Sequence, residues 1–320
     1  MLTPTVNTCS LCESTHTENI LAREMRLGLR EEHPYRHCLN CGFLELINIP
    51  QNLGKYYASY YTSEKPYYEI KGLRRFFWKF RSALYDSILH PIFHRWAFNT
   101  ILDWKYRLKL KFNATILDVG CGNGDILFEF YKNGFKNVAG IDPFPPSSAL
   151  NKGLPFQIAE GSIFDVFETD QFDLIMMHHS FEHMALQEQV LKKAKQLLKP
   201  NGSVFIRMPV INRAFQEYRE NWVQIDAPRH LGIHSVKSFE MLANQNGFKV
   251  LDVFFDSTSF QFLGSEQNKV DIDFFAQNSY KTDKAKCIFS ESDFDKFDDM
   301  ATQYNRKGWG DQAGFILKLA

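Results

Sequence analysis

The chain has 320 residues, 44% hydrophobic and 23% charged, enough to bury a full core and a smaller satellite domain. Its formal net charge is zero and its pI near 7.1, so no global positive field holds a phosphate backbone by counterion release, and nucleic acid is not the default partner. The opening MLTPTVNTCSLC lacks the basic and apolar regions of a secretory leader, and no run approaches the ~20 apolar residues of a spanning helix, so a soluble cytoplasmic protein is expected.

Residues 1–50 hold four of the six cysteines in two pairs, Cys9 with Cys12 and Cys38 with Cys41. The contexts CSLC and CLNCGF resemble zinc-ribbon knuckles, in which thiolates two residues apart converge on one tetrahedral ion. Four sulfurs close the coordination sphere, so the metal is structural and serves a segment with too little core to fold alone. Disulfides are the alternative in an oxidising compartment, and iron suits the same four sulfurs.

Residues 51–112 read as a helical connector, aromatic and basic. Ten cationic side chains from Lys71 to Lys111 face only Asp86 and Asp103, with FFW, LYDSIL and HPIFHRWAF interleaved. Such helices either lie on anionic lipid, at the periphery of a membrane, or support a domain with solvated lysines; a lipid-linked or phosphate-bearing substrate is drawn to the same charge.

From 113 to 320, strand and helix signals alternate. TILDV, NVAGI, FDLIMM and SVFIRM are short apolar runs bounded by turn residues. Leu186, Val190, Leu191, Ala194, Leu197 and Leu198 repeat at helical spacing up to LLKPNG, where Pro200 and Gly202 are expected to stop the helix before the next strand. The alternation predicts an α/β fold, doubly wound on a mostly parallel sheet.

The first strand hands over to its helix through DVGCGNGD, where ligands of such sheets bind. A dinucleotide fingerprint requires G-x-G-x-x-G, but Gly120, Gly122 and Gly124 are followed by Asp125 where the third glycine belongs. Asp118 argues further against a pyrophosphate, since a carboxylate repels it but pairs with an ammonium group. Asp142, at the close of the second strand in GIDPF, suits the hydroxyls of a ribose. A nucleoside with an amino-acid tail fits both acids.

ILDVGCGNG, GIDP, FDLIMMHHSFEH, LLKPNG and AGFILKL, in this order, resemble the class I S-adenosylmethionine-dependent methyltransferases, over residues 113–320. The resemblance implies a Rossmann-like seven-stranded sheet. It also implies that Asp118 meets the methionine amino group, that Gly120, Cys121, Gly122, Asn123 and Gly124 line methionine and ribose, and that Asp142, with Pro143 beside it, takes the ribose. Adenine is then expected near Ser162 and Ile163, and His178 and His179 beside the methionine end.

Methyl transfer to a hydroxyl or carbon acid requires a base, and histidine suits neutral pH. The candidates are His179, His183 and His230. After the fourth strand HHSF lacks the Asn/Asp-Pro-Pro-aromatic device that holds amino groups in adenine or glutamine N-methyltransferases. The ribbon, KYYASYYTSEK and RHLGIHS look like bacterial sugar methyltransferases with an N-terminal zinc domain, including sugar C-methyltransferases and the enzymes of surface-polysaccharide clusters. That likeness implies that Tyr60 and Tyr61 face the sugar and that His230 is the base. Arg229 stands where those enzymes carry glutamate, which leaves O-methylation beside C-methylation. The expected substrate is a sugar, nucleotide sugar or glycan. RNA or another small molecule as acceptor, a nicotinamide oxidoreductase and an inactive zinc-ribbon binding module stay as alternatives.

Overall fold

The computed structural model describes residues 8–57, 100–146, 154–167 and 169–320. Among them the strands are β1 (Thr17–Arg23), β2 (Glu32–Cys38), β3 (Leu44–Leu46), β4 (Thr115–Val119), β5 (Asn137–Asp142), β6 (Gln157–Glu160), β7 (Phe172–His178), β8 (Leu198–Pro209), β9 (Gly232–Ile233), β10 (Phe248–Phe255) and β11 (Gln312–Leu319). The helices are α1 (Thr100–Leu108), α2 (Asp125–Lys132), α3 (Gln187–Leu197), α4 (Arg213–Tyr218), α5 (Val236–Gln245), α6 (Phe260–Lys269) and α7 (Glu291–Arg306).

Seven strands form one sheet in the order β10-β11-β8-β7-β4-β5-β6, with β7, β4, β5 and β6 parallel. This is the doubly wound architecture expected from the alternating pattern, with the seven strands that the family resemblance implies. The order reverses beside β4, which places the glycine loop that follows it at the switch point of the sheet. Four further strands form a second sheet, β1-β2-β3-β9, whose paired neighbours are antiparallel.

The described residues divide into two compact units. One takes those from 100 to Ser180 with Glu188–Ile206 and Ile316–Ala320. Its strands β4 and β7 bury Ile116, Leu117, Leu174, Ile175, Met176 and Met177, the continuous apolar run of strands covered on both faces. In α1, Lys105 is only 2% exposed, its ammonium 4.7 Å from the centre of the Phe112 ring, while Asp103 accepts a hydrogen bond from Arg107 at 2.8 Å. Lys105 is thus neither solvated nor lipid-facing. Arg107, Lys109 and Lys111 are exposed, while residues 58–99, with Tyr60 and Tyr61 among them, lie outside the described residues. No helix among the described residues is long and apolar enough to cross a membrane.

The end of α3 differs from the expectation. The helix spans Gln187–Leu197 and buries Val190, Leu191, Ala194 and Leu197, but Leu186 precedes it, half exposed, and Leu198 already opens β8. Pro200 and Gly202 therefore sit inside the first turns of strand rather than in a break before it. Near a strand start a proline forfeits only one donor. A side chain at Gly202 would come within 2.8 Å of the Phe172 carbonyl, so the glycine allows close pairing there.

The other unit takes the described residues up to Tyr57 with Phe181–Gln187 and Arg207–Phe315. The short strands β1 to β3 do not bury themselves. Ile20, Ala22, Tyr35, Leu44 and Leu46 share one core with Phe215, Trp222, Ile225, Ala227, Leu231 and Ile233, contributed by the later part of the chain. At roughly 1.5–3 kcal/mol for each large side chain buried, this shared core stabilises the ribbon strands substantially. The hydroxyl of Tyr35 donates to the carbonyl of His230 at 2.9 Å and ties β2 to that loop.

Candidate functional site

The glycine loop after β4 is built by close approach. Gly120 and Gly124 hold φ of +76° and +80°, which L side chains rarely adopt. A Cβ on Gly120 would stand 2.4 Å from the Cβ of Ser180, whose hydroxyl donates to the carbonyl of Val119 at 2.6 Å; one on Gly124 would meet Ile158 at 2.7 Å. Gly120→Ala is therefore expected to cost about 2–4 kcal/mol, from the left-handed backbone and the overlap together, measurable as a lowered urea midpoint. An unchanged midpoint would contradict the close packing of Gly120 on Ser180.

Two carboxylates flank this loop. Asp142 is spent on holding it: its Oδ2 accepts from the amide of Gly122 and its Oδ1 from the amide of Phe144, both at 2.8 Å. Asp118 has no such support. It is 2% exposed, and its buried Oδ1 finds no hydrogen-bond partner among the described residues. Burial, with the charge of Asp142 adding to it, pushes the Asp118 carboxyl up to about 8. An ammonium donor, the group expected there from the sequence, would stabilise the ionised form of such a buried acid.

Of the other cofactor candidates, Cys121 and Asn123 belong to the same loop. Asn123 Oδ1 accepts the amide of Asp125 at the start of α2. The Cys121 thiol is held protonated by burial. Pro143 is exposed behind Asp142. Ser162 caps a single 3-10 turn, Ile163–Asp165, by accepting the amide of Phe164 while Asp165 accepts from Ser162, and Ile163 is buried. His178 ends β7 with its ring 5.4 Å from that of Trp104, and His179 follows at a left-handed φ of +51°.

His183 and His230 come together in the other unit, their ring centroids 4.6 Å apart. The turn Phe181–His183 is joined to the loop around 230 by two hydrogen bonds, Leu231 amide to Glu182 carbonyl at 2.8 Å and His183 Nδ1 to Arg229 carbonyl at 2.9 Å, and by Gln187 Nε2, which bridges the carbonyls of Phe181 at 3.0 Å and Gly232 at 2.9 Å. His230 Nδ1 donates to the carbonyl of Gln224 at 2.7 Å. Carbonyls only accept, so both rings carry the proton on Nδ1 and the lone pair on Nε2. Complete burial holds His230 well below its ordinary pKa, and a proton on the neighbouring His183 would act in the same sense. Its Nε2 lies 4.0 Å from Glu182 Oε1 and 3.7 Å from Asp226 Oδ2. Arg229 is buried and ion-paired with Asp226, its guanidinium 5.8 Å from the centre of the Tyr57 ring.

The sequence reading singled out His230 but not Glu182, which the structure brings within 4.0 Å of it. The carboxylate lacking at position 229 arrives beside the histidine from the turn after β7. Tyr57, weighed only as part of an aromatic stretch, puts its hydroxyl 3.1 Å from His183 Nδ1. No local spacing announces either contact; the EH pair of SFEHM was the available signal.

Near the start of the chain the four cysteine sulfurs lie within 4.8 Å of one another. Cys9 and Cys41 stand 3.7 Å apart and Cys12 and Cys38 3.5 Å, far beyond a disulfide and close to the roughly 3.8 Å that separates sulfurs on a tetrahedral zinc ion. The hydroxyl of Ser235, which caps α5, donates to the carbonyl of Cys41 at 2.6 Å, and Phe43 stacks on His234 at 4.5 Å.

A family model described as a methyltransferase domain matches residues 90–253, just over half of the chain. The EEF1A lysine methyltransferase 2 of Mus musculus is 36% identical over 58 residues, 18% of this chain and 24% of that protein. The ubiquinone biosynthesis O-methyltransferase of Nitrosococcus oceani is 36% identical over 111 residues, 32% of this chain and 46% of that protein. The chain thus spans between a quarter and a half of the length of these curated relatives. A solved SAM dependent methyltransferase from Archaeoglobus fulgidus is 15% identical, with a TM-score of 0.44 over 72% of this chain and 100% of that one.

Proposed function

This chain belongs to the methyltransferase domain family, and from that premise we propose that it transfers the methyl group of S-adenosylmethionine to a hydroxyl or carbon acid of a sugar, nucleotide sugar or glycan. One observation carries the cofactor assignment: the buried, unpartnered Oδ1 of Asp118 beside a loop bare enough for close ligand approach. The methionine ammonium satisfies that oxygen. Asp142 keeps lone pairs for the ribose while its bond from the Gly122 amide fixes the loop, and the turn at Ser162 and Ile163 receives the adenine. When bound, S-adenosylmethionine supplies an electrophilic methyl group on a sulfonium.

His230 is the base in this reading. The main chain fixes its tautomer, and its Nε2 lone pair takes the acceptor proton, with Glu182 and Asp226 stabilising the imidazolium that results. Arg229 and the tyrosines Tyr60 and Tyr61 would bind the sugar. The four cysteines hold a structural zinc ion, which their sulfur spacing fits. The sugar assignment is supported by the sequence likeness alone. The lysine methyltransferase relative favours a second reading, a protein amine acceptor. A tritiated-methyl assay over nucleotide sugars, glycans and proteins separates the two: counts in sugars alone are expected, and counts confined to protein would reject the sugar reading.

Asp118 gives a test independent of the acceptor. Its folded value of about 8 exceeds the ordinary 3.8, so near pH 7 the cofactor-free protein holds the proton, and pairing with an ammonium expels it. Affinity should therefore rise between pH 6 and pH 8, with roughly one proton released per cofactor at pH 7. Asp118→Asn should weaken binding about 10–100-fold, the loss of a charge-assisted hydrogen bond, while leaving the cofactor-free fold as stable or more so. Calorimetry in buffers of different ionisation heat reads both. No proton release with unaltered affinity in the variant, or uptake of NADH in place of S-adenosylmethionine, would reject the assignment.

A further inference from the structure

We propose that Glu182, His183 and His230 form a divalent transition-metal site, separate from the four cysteines. One carboxylate oxygen and one nitrogen from each ring lie within 4.8 Å of one another. Glu182 and His230 are 1% and 5% exposed, so these groups meet in a setting where electrostatics are weakly screened. Two imidazoles with one carboxylate are the donor set of zinc, iron and their neighbours, not of magnesium or calcium, which take oxygen ligands.

The orientation of the rings adds an independent reason. His230 Nδ1 donates to the carbonyl of Gln224 and His183 Nδ1 to the carbonyl of Arg229. A main-chain carbonyl on the second nitrogen fixes the tautomer with its lone pair on Nε2 and raises the basicity of that nitrogen, as outer contacts do for metal-bound histidines. The His230 Nε2 lone pair then faces two carboxylates, Glu182 at 4.0 Å and Asp226 at 3.7 Å. Asp226 is already paired with Arg229; the approach of the Nε2 lone pair to the Glu182 carboxylate, acceptor to acceptor, is one that a cation bound between them would stabilise. The present 4.0 Å exceeds the about 3.3 Å between ligands 2.0–2.1 Å from a tetrahedral ion, and side-chain shifts under about 1 Å close the gap. Three protein ligands leave a coordination position for water or substrate.

The site stands whether or not His230 is the base, yet the two roles exclude each other in one molecule, because ion and proton use the same lone pair. Zinc beyond the first equivalent should consequently inhibit. The test starts from full-length protein with one zinc per chain, titrated with Co²⁺. A second equivalent is expected, with weak visible absorption and no thiolate charge-transfer band. Glu182→Gln and His183→Ala should each weaken that equivalent at least about 10-fold while the first zinc is retained. If wild-type protein takes up no second equivalent, or takes it up with thiolate bands, or both variants bind it as tightly as wild type, the proposal is wrong. Turnover rising as the second equivalent fills would instead overturn the base assignment and leave the metal site standing.

Discussion

Stripping the metal from Cys9, Cys12, Cys38 and Cys41 is expected to abolish turnover and lower the melting temperature by ~10 °C or more, while cofactor binding survives. A structural zinc contributes about 10–16 kcal/mol of apparent binding energy in small isolated domains. Here part of that is redundant, because β1 to β3 also pack on Phe215, Trp222 and Leu231. A loss of several kcal/mol remains, at roughly 2–4 °C per kcal/mol for a unit of this size. The damage should spread along a defined route. Cys38 ends β2, Cys41 holds the hydroxyl of Ser235, and β3 pairs with β9 just beyond His230. Loosening the knuckle should thus free the loop that carries His230, the proposed base. Asp118, the glycines and Asp142 belong to the other unit, so S-adenosylmethionine should still bind. Hydrogen exchange after chelation should lose protection in 32–46 and 230–236 and keep it in 115–142. Protein purified reduced, free of metal and fully active would remove zinc from the account.

Legibility followed locality. The glycine turn could be read because a parallel strand, its loop and its helix are contiguous, and because left-handed backbone at Gly120 and Gly124 leaves few residue choices. The cysteine spacing was legible for the same reason: each knuckle is four residues long. β4, β5 and β7 announce themselves as apolar runs because both faces are covered. Two-residue β9 has no pattern to show. The start of β8 was hidden because Pro200 and Gly202 weigh as helix breakers, although both fit a strand that begins at Leu198. The meeting of Glu182 with His230 brings together a turn and a loop separated in sequence by α3, β8 and α4, and no window on the chain contains both. The core of the first fifty residues was equally out of view, since Trp222 and Ile225 lie far along the chain.

His230→Ala should cut turnover ~10²–10⁴-fold, the usual worth of a positioned base, with cofactor affinity unchanged. Alanine alone is ambiguous, because His230 is buried and its Nδ1 holds the carbonyl of Gln224. His230→Asn separates the two roles. The asparagine amide can still donate to that carbonyl, so the loop is kept, but it offers no basic nitrogen. A base predicts that both variants lose turnover alike and that added imidazole partly restores the alanine variant by entering the cavity. A merely structural histidine predicts that asparagine is nearly normal and imidazole does nothing. Glu182→Gln should fall between, losing about 10-fold, since it removes charge that favours the imidazolium but leaves the lone pair on Nε2. Full turnover in both His230 variants would move proton removal to another group, and His179, which follows β7 in the unit that holds Asp118, is the next candidate to replace.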